Sequence, residues 1–295
     1  MFLERAGDSN AITRRYMDSI LIDQRNLNGD IPDTRFEIFG RSFETPVTTA
    51  ALSHLKTPRE DGMVELAQAA RLAGALMFCG MGTPQQLDAV MAAGAQVVKI
   101  IKPYADEEQI YRRIAHARAC GCLAVGMDID HSFDHKGEYD VVQGEKMQPV
   151  TREKLKAFMA AGPLPFIVKG VLSLTDALIC RDLGAAGIVV SHHHGIMDFV
   201  QPPLKVLPAI RDKVGKDIKI FVDCGIESGA DVYKAMALGA DAVSVGRALM
   251  PALTRDGPQA CADVIRRLTQ ELKYFMAHTA TGDLKSFDKT TIIAP

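Results

Sequence analysis

The chain has 295 residues and is 47% hydrophobic, enough for one large domain with a well-filled core. A formal charge of −2 argues against nucleic acid or an acidic membrane surface as partner. No apolar run approaches the ~18–20 residues of a membrane helix, and six cysteines without paired metal-ligand spacing point to reduced thiols in a cytoplasmic protein.

Residues 1–45 read as a preamble. Charges fall where a signal peptide would carry its apolar segment. A helix is expected around Ala11 to Gln24, and "RFEIFGRSFETP" reads as a hairpin closing the bottom of the next unit. From residue 46 to the end one phrase recurs: a helical segment, a glycine, then a short apolar run. Examples are "GALMFCG", "GAQVVKI", "GCLAVGMDID", "GAAGIVVSHHH" and "GADAVSVGRA". The glycine suits a helix C-cap, and the run suits a parallel strand buried on both faces. With "PVTTAA", "PFIVKG" and "IKIFVDCG" there are eight strands, starting near residues 46, 75, 96, 122, 165, 186, 218 and 241. This predicts an α/β fold, a single (β/α)8 TIM barrel over residues 46–295, with a doubly wound open sheet as the structural alternative. The longest gap holds a polar loop, "HSFDHKGEYDVVQGEKMQPV", followed by a helix from about Thr151.

Chemistry in such barrels sits where strands end. The expected ends deliver Ala50 and, beyond it, His54; then Cys79; Lys99 and Lys102; Asp128, Asp130 and His131; Lys169; Ser191 and His192–His194; Asp223; Gly246 and Arg247. With His135 in the loop after Asp130, six of the eight histidines fall on this face. Asp128 and Asp130 alternate along a strand and so share a side. The three adjacent histidines cannot chelate one metal as a unit, because neighbours on a strand point to opposite faces. No metal site is assigned, and one histidine acting as general base is preferred. "VDCGIESGAD" and "VSVGRALM" each end a strand on glycine and run into a helix. That is the pattern of a phosphate site, with Arg247 adding a full charge. On the residues alone three other readings stay open. One is a metal-dependent lyase or hydrolase using His54, Asp128, Asp130, His131 and one of the clustered histidines. The second is a Schiff-base aldolase with Lys169 as nucleophile and Lys99 lowering its pKa. The third is a protein that binds a phosphate-bearing ligand without catalysis.

"FIVKGVLSLTDALICRDLGAAGIVVSHHHG", "FVDCGIESGADVYKAMALGADAVSVGRALM" and "LKYFMAHTATGDLKSF" together resemble the FMN-dependent 2-hydroxy-acid oxidases and dehydrogenases, such as glycolate and lactate oxidase. The resemblance implies an FMN cofactor, a small-molecule substrate and a homo-oligomer, tetramers being common. It assigns Lys169 to the flavin ring edge and Ser191 to the flavin or its ribityl chain. Asp223, Gly225, Gly246 and Arg247 fall to the ribityl and phosphate. Ala50, Ala51, Cys79, Lys99 and Asp128 fall where barrel strands touch the ring. His193 matches the base, and Asp130 the carboxylate that orients it. The departures lie on the substrate side. Ile196 replaces the arginine that clamps the substrate carboxylate, and an isoleucine cannot do so. Ile101 stands for a tyrosine, Lys99 for a glutamine, His192 for an asparagine and His194 for a glycine. Glu227 or Ser228 replaces a phosphate-binding arginine. His192, His194, Lys102 and His131 are the candidates for substrate contact. The expected reaction is oxidation of a small 2-hydroxy acid or related alcohol, with a flavin-dependent reductase or isomerase acting on a non-carboxylate substrate as the alternative.

Overall fold

The computed structural model describes residues 5–53, 55 and 59–295. It opens with helix α1, Ser9–Ser19, capped by the Asp8 carboxylate, which accepts from the Asn10 N–H. The helix stops five residues short of the expected Gln24. Ile20 turns extended and the chain enters β1, Leu21–Ile22. A hairpin of β2, Phe36–Ile38, and β3, Arg41–Phe43, follows where it was expected.

The barrel then alternates strands and helices: β4 Val47–Leu52, α2 Gly62–Leu72, β5 Met77–Cys79, α3 Pro84–Ala92, β6 Val97–Ile101, α4 Glu107–Ala119 and β7 Ala124–Asp128. The long polar loop carries an unforeseen small hairpin, β8 Val141–Val142 with β9 Glu145–Lys146. After it come α5 Arg152–Met159, β10 Phe166–Val171, α6 Leu174–Asp182, β11 Gly187–Val190, α7 Pro203–Val214, β12 Lys219–Val222, α8 Gly229–Ala237 and β13 Ala242–Val245. A 3-10 turn, Arg247–Leu249, leads into α9, Met250–Asp256, and α10, Pro258–Ala277. The chain ends with β14, Ile292–Ile293, paired antiparallel with β1.

The eight strands β4, β5, β6, β7, β10, β11, β12 and β13 are parallel and close into a barrel in chain order. The open-sheet alternative is thereby excluded. Strand alternation sorts the side chains into two layers. Phe78, Val98, Ile100, Ile167, Val189 and Phe221 fill the interior. Val97, Ile101, Val168, Ile188, Val222 and Val243 face the helices. Phe36, Ile38 and Phe43 of the hairpin join the interior cluster and plug the barrel, each phenylalanine contributing about 2–3 kcal/mol by burial. The catalytic mouth is left at the opposite, C-terminal end of the strands.

Candidate active site

Lys169 on β10 is buried at the mouth. Its Nζ lies 3.1 Å from Asp128 Oδ1, 3.3 Å from His193 Nδ1 and 3.8 Å from Asp223 Oδ2. Burial works against its charge, but Asp128, Asp223 and Asp130 outweigh it and hold its pKa above the ordinary lysine value. That direction, together with the carboxylates packed around Nζ, disfavours the Schiff-base reading, which needs a neutral amine. Asp128 is buried too, yet Lys169, Lys102 and His193 hold its pKa well below the usual range. Lys102 Nζ donates to Asp128 Oδ2 at 2.8 Å.

His193 follows β11 in the left-handed region, φ 48°. Its backbone N–H donates to Ser191 Oγ at 3.0 Å. Its ring Nδ1 lies 2.9 Å from Asp130 Oδ1, an arrangement that assigns the proton to Nδ1 and leaves Nε2 as the basic nitrogen. The ring of His131 meets that of His193 edge-on, centroids 4.7 Å apart. Burial first, then Lys102 and His193, lower the His131 pKa.

Asp128, Asp130 and His193 do bring ligand-type atoms within 4.8 Å of one another. Lys169 Nζ already sits against two of those atoms, so a dication would enter beside a fixed positive charge. This disfavours the metal-dependent reading. His54, which that reading also used, lies outside the described residues.

The mouth opens into a cavity lined by Ala50, Ala51, Lys169, His193, His194, Asp223, Gly225, Gly246 and Arg247, nine of the expected site residues. Four expectations need correction. Cys79 and Lys99 point outward, on the helix side of their strands. Lys99 Nζ donates to the Gly80 carbonyl and lies 3.7 Å from Cys79 Sγ. On β6 the inward positions are Val98, Ile100 and, one step beyond the strand, Lys102. The resemblance placed Lys99 and Ile101 at the ring, but in the structure both lie on the outer face of the strand. Neither Lys99 nor Ile101 can touch a bound ring; the second cation near Lys169 is Lys102, which shares the Asp128 carboxylate with it. His192 is not at the substrate either. It is 2% exposed, its Nδ1 accepts from the Gly195 N–H at 2.8 Å and its Nε2 lies 2.9 Å from Thr13 Oγ1. It fastens α1 to the barrel. Lastly, the N-terminus of α8 is not free for phosphate. Glu271 accepts from Gly229 N–H at 2.7 Å and Ser228 Oγ from Asp231 N–H at 3.2 Å. Of the two expected phosphate-binding helix starts, only the turn after Gly246 remains.

Sequence reasoning missed Asn10, Thr13 and Arg14, which α1 lays across the cavity, along with Cys224 and Ser244. Arg14 donates to both Asp231 oxygens, at 2.8 and 3.1 Å, and to the Gly225 carbonyl at 3.1 Å. No local signal marks Arg14, since the contact spans 217 residues. Cys224 takes φ 69°, where a glycine would be unstrained.

The cavity suits a flat ring carrying a phosphate tail. Ala50, Ala51 and Leu52 form a thin apolar wall, and a Cβ on Gly246 would press on Ala50 and Leu52. Lys169 is a buried cation on one side of it. Arg247 is exposed and has no carboxylate partner among the described residues. These features define an FMN oxidoreductase on a TIM barrel, and comparison with known proteins agrees. The FMN-dependent dehydrogenase family matches residues 5–156 and 143–294. An L-lactate oxidase of Roseobacter sp. (strain GAI101) is 32% identical, over 83% of this chain and 75% of its own. A 4-hydroxymandelate oxidase of Amycolatopsis orientalis is 28% identical, over 88% and 83%. A solved mandelate oxidase variant with an FMN adduct superposes with a TM-score of 0.88 at 28% identity, covering 99% of this chain and 92% of that one. The chain belongs to the FMN-dependent dehydrogenase family; it is an enzyme, and its cofactor is FMN. None of its described helices is long and apolar enough to cross a membrane.

Proposed function

We propose that the enzyme oxidises the hydroxyl-bearing carbon of a small 2-hydroxy acid, with His193 as base. The observation that carries this reading is the Asp130–His193 pair at 2.9 Å beside the buried Lys169. His193 Nε2 takes the hydroxyl proton, and the Asp130 carboxylate stabilises the imidazolium through Nδ1. Bound FMN supplies the acceptor for the two electrons and the hydrogen that leave the carbon. Lys169, clamped by Asp128 and Asp223, opposes negative charge developing in the slot. Ser191 sets the His193 backbone. Arg247 and the N–H groups after Gly246 face the phosphate, and Gly225 lets the backbone approach the ribityl chain. Lys102 is the cation for the substrate carboxylate, with His131 forming the adjoining wall and His194 the rim.

A second reading has its own support. Lys102 and Lys169 against Asp128, Asp130 and Asp223 leave a formal −1 with His193 neutral, and Ile196, 39% exposed, offers no clamp. An uncharged 2-hydroxy carbonyl compound would suit that balance. The test is anaerobic flavin bleaching with a panel that pairs each 2-hydroxy acid with its amide. The acids should reduce the flavin faster; faster amides would favour the second reading. His193→Ala should slow reduction roughly 10³-fold and Asp130→Asn ~10²-fold, with flavin content unchanged. Reduction of His193→Ala at the wild-type rate would remove the assignment.

The protein is further proposed to work in the cytoplasm as a homo-oligomer, with residues 46–295 as its FMN-binding domain and residues 1–45 as an accessory segment. All six cysteines are free, which suits a reducing compartment. Met197 and Phe199, 62% and 76% exposed, suit a subunit contact. Light scattering at the mass of a single chain would exclude the oligomer.

A further inference from the structure

On the outer helix layer, away from the mouth, three ligand-type side chains converge. Asp88 comes from α3; His116 and Cys120 come from α4 and its C-cap, four residues apart and so on one face. His116 Nε2 lies 3.0 Å from Asp88 Oδ1, Cys120 Sγ 3.1 Å from the same oxygen, and Cys120 Sγ 3.3 Å from His116 Nε2. In a tetrahedral zinc site with bonds of ~2.0–2.3 Å, neighbouring ligand atoms stand about 3.3–3.6 Å apart. The triangle found here would need to open by only a few tenths of an ångström.

We propose that Asp88, His116 and Cys120 form a zinc-type metal site that joins α3 to α4, with its remaining coordination open to water. One nitrogen, one oxygen and one sulfur are a donor set that zinc accepts. A nucleophilic Cys–His–Asp relay fits less well. In a relay the carboxylate holds one ring nitrogen and the thiol gives its proton to the other; here both sit on Nε2. Asp88 and His116 have 57% and 28% exposed side chains, so an ion can reach the site from solvent. Cysteine spacing could not reveal it, because each ligand type occurs once and one comes from another helix.

The test uses the flavin-loaded enzyme, stripped of metal by a chelator and dialysed against Zn2+ at micromolar free concentration. One Zn2+ per chain should be retained. X-ray absorption should show one sulfur at ~2.3 Å from the zinc. Cys120→Ser and His116→Ala should each weaken binding at least tenfold with circular dichroism unchanged, and Cys120→Ser should lose the sulfur shell. Failure to retain Zn2+, a zinc shell without sulfur, or wild-type binding by Cys120→Ser would overturn the proposal.

Discussion

His194 sits at φ 58° and Cys224 at φ 69°, beside each other in space: the His194 N–H donates to Cys224 Sγ at 3.3 Å. A side chain in the left-handed region costs about 1 kcal/mol that glycine does not incur. His194→Gly should therefore raise the melting temperature by roughly 2 °C; a loss on differential scanning would show that the imidazole holds the rim. The histidines here also make stability depend on pH. Burial, followed by Arg247, lowers His194 from 6.5 to about 4. Burial likewise lowers His131 and His192. Below about pH 6.5 the unfolded chain takes up protons that the folded protein refuses. Stability is thus complete above that value and is lost progressively toward pH 4. Thermal melts from pH 7.5 to 4.5 should show this fall, and His194→Gly should flatten part of it.

The end of β10 decides whether Asp130 and His193 meet. The strand pairs regularly with β11 as far as Lys169, shifts register, and resumes at Val171. Gly170 forms the bulge at φ 90°, where a Cβ would collide with the Asp130 carboxylate. Lys169 faces the mouth by alternation from Ile167, and the bulge after it leaves room for Asp130 against the strand. Gly170→Ala should cost about 1–3 kcal/mol and lower kcat at least tenfold by displacing Asp130, with FMN still bound. Unchanged kcat would mean that Asp130 does not need this seat. Strand positions were legible because glycine caps and apolar runs are local. Which side chains face inward was not legible on β6: shifting by one residue exchanges Lys99 for Ile100, and composition does not reveal the register.

At the scale of the molecule, the N-terminal segment ties the barrel together. β1 pairs with β14 from the far end of the chain, Lys234 of α8 donates to the Met17 carbonyl at 2.8 Å, and Arg14 bridges Asp231 and Gly225. Arg14→Met leaves Asp231, 1% exposed, with only its cap donors. It should cost about 1–3 kcal/mol and raise the FMN Kd roughly tenfold through the freed Gly225 loop, measurable by flavin fluorescence titration. Unaltered affinity would confine Arg14 to a structural role.

The amino-acid order by itself determined the barrel, its eight strands, the hairpin plug and the Lys169, Asp130 and His193 positions. The barrel, the strands and the hairpin are written in short-range periodicity and turn chemistry that neighbouring residues enforce; the choice of His193 among its neighbours, with Asp130 beside it, came from the family resemblance. Tertiary structure alone decided that His192 is sealed under α1, that Lys99 lies outside the barrel and Lys102 inside, and that Arg14 reaches the cavity. It also brought Asp88 to His116 and Cys120. These outcomes depend on strand register and helix packing, which join residues tens to hundreds of positions apart and leave no mark on the segments they connect.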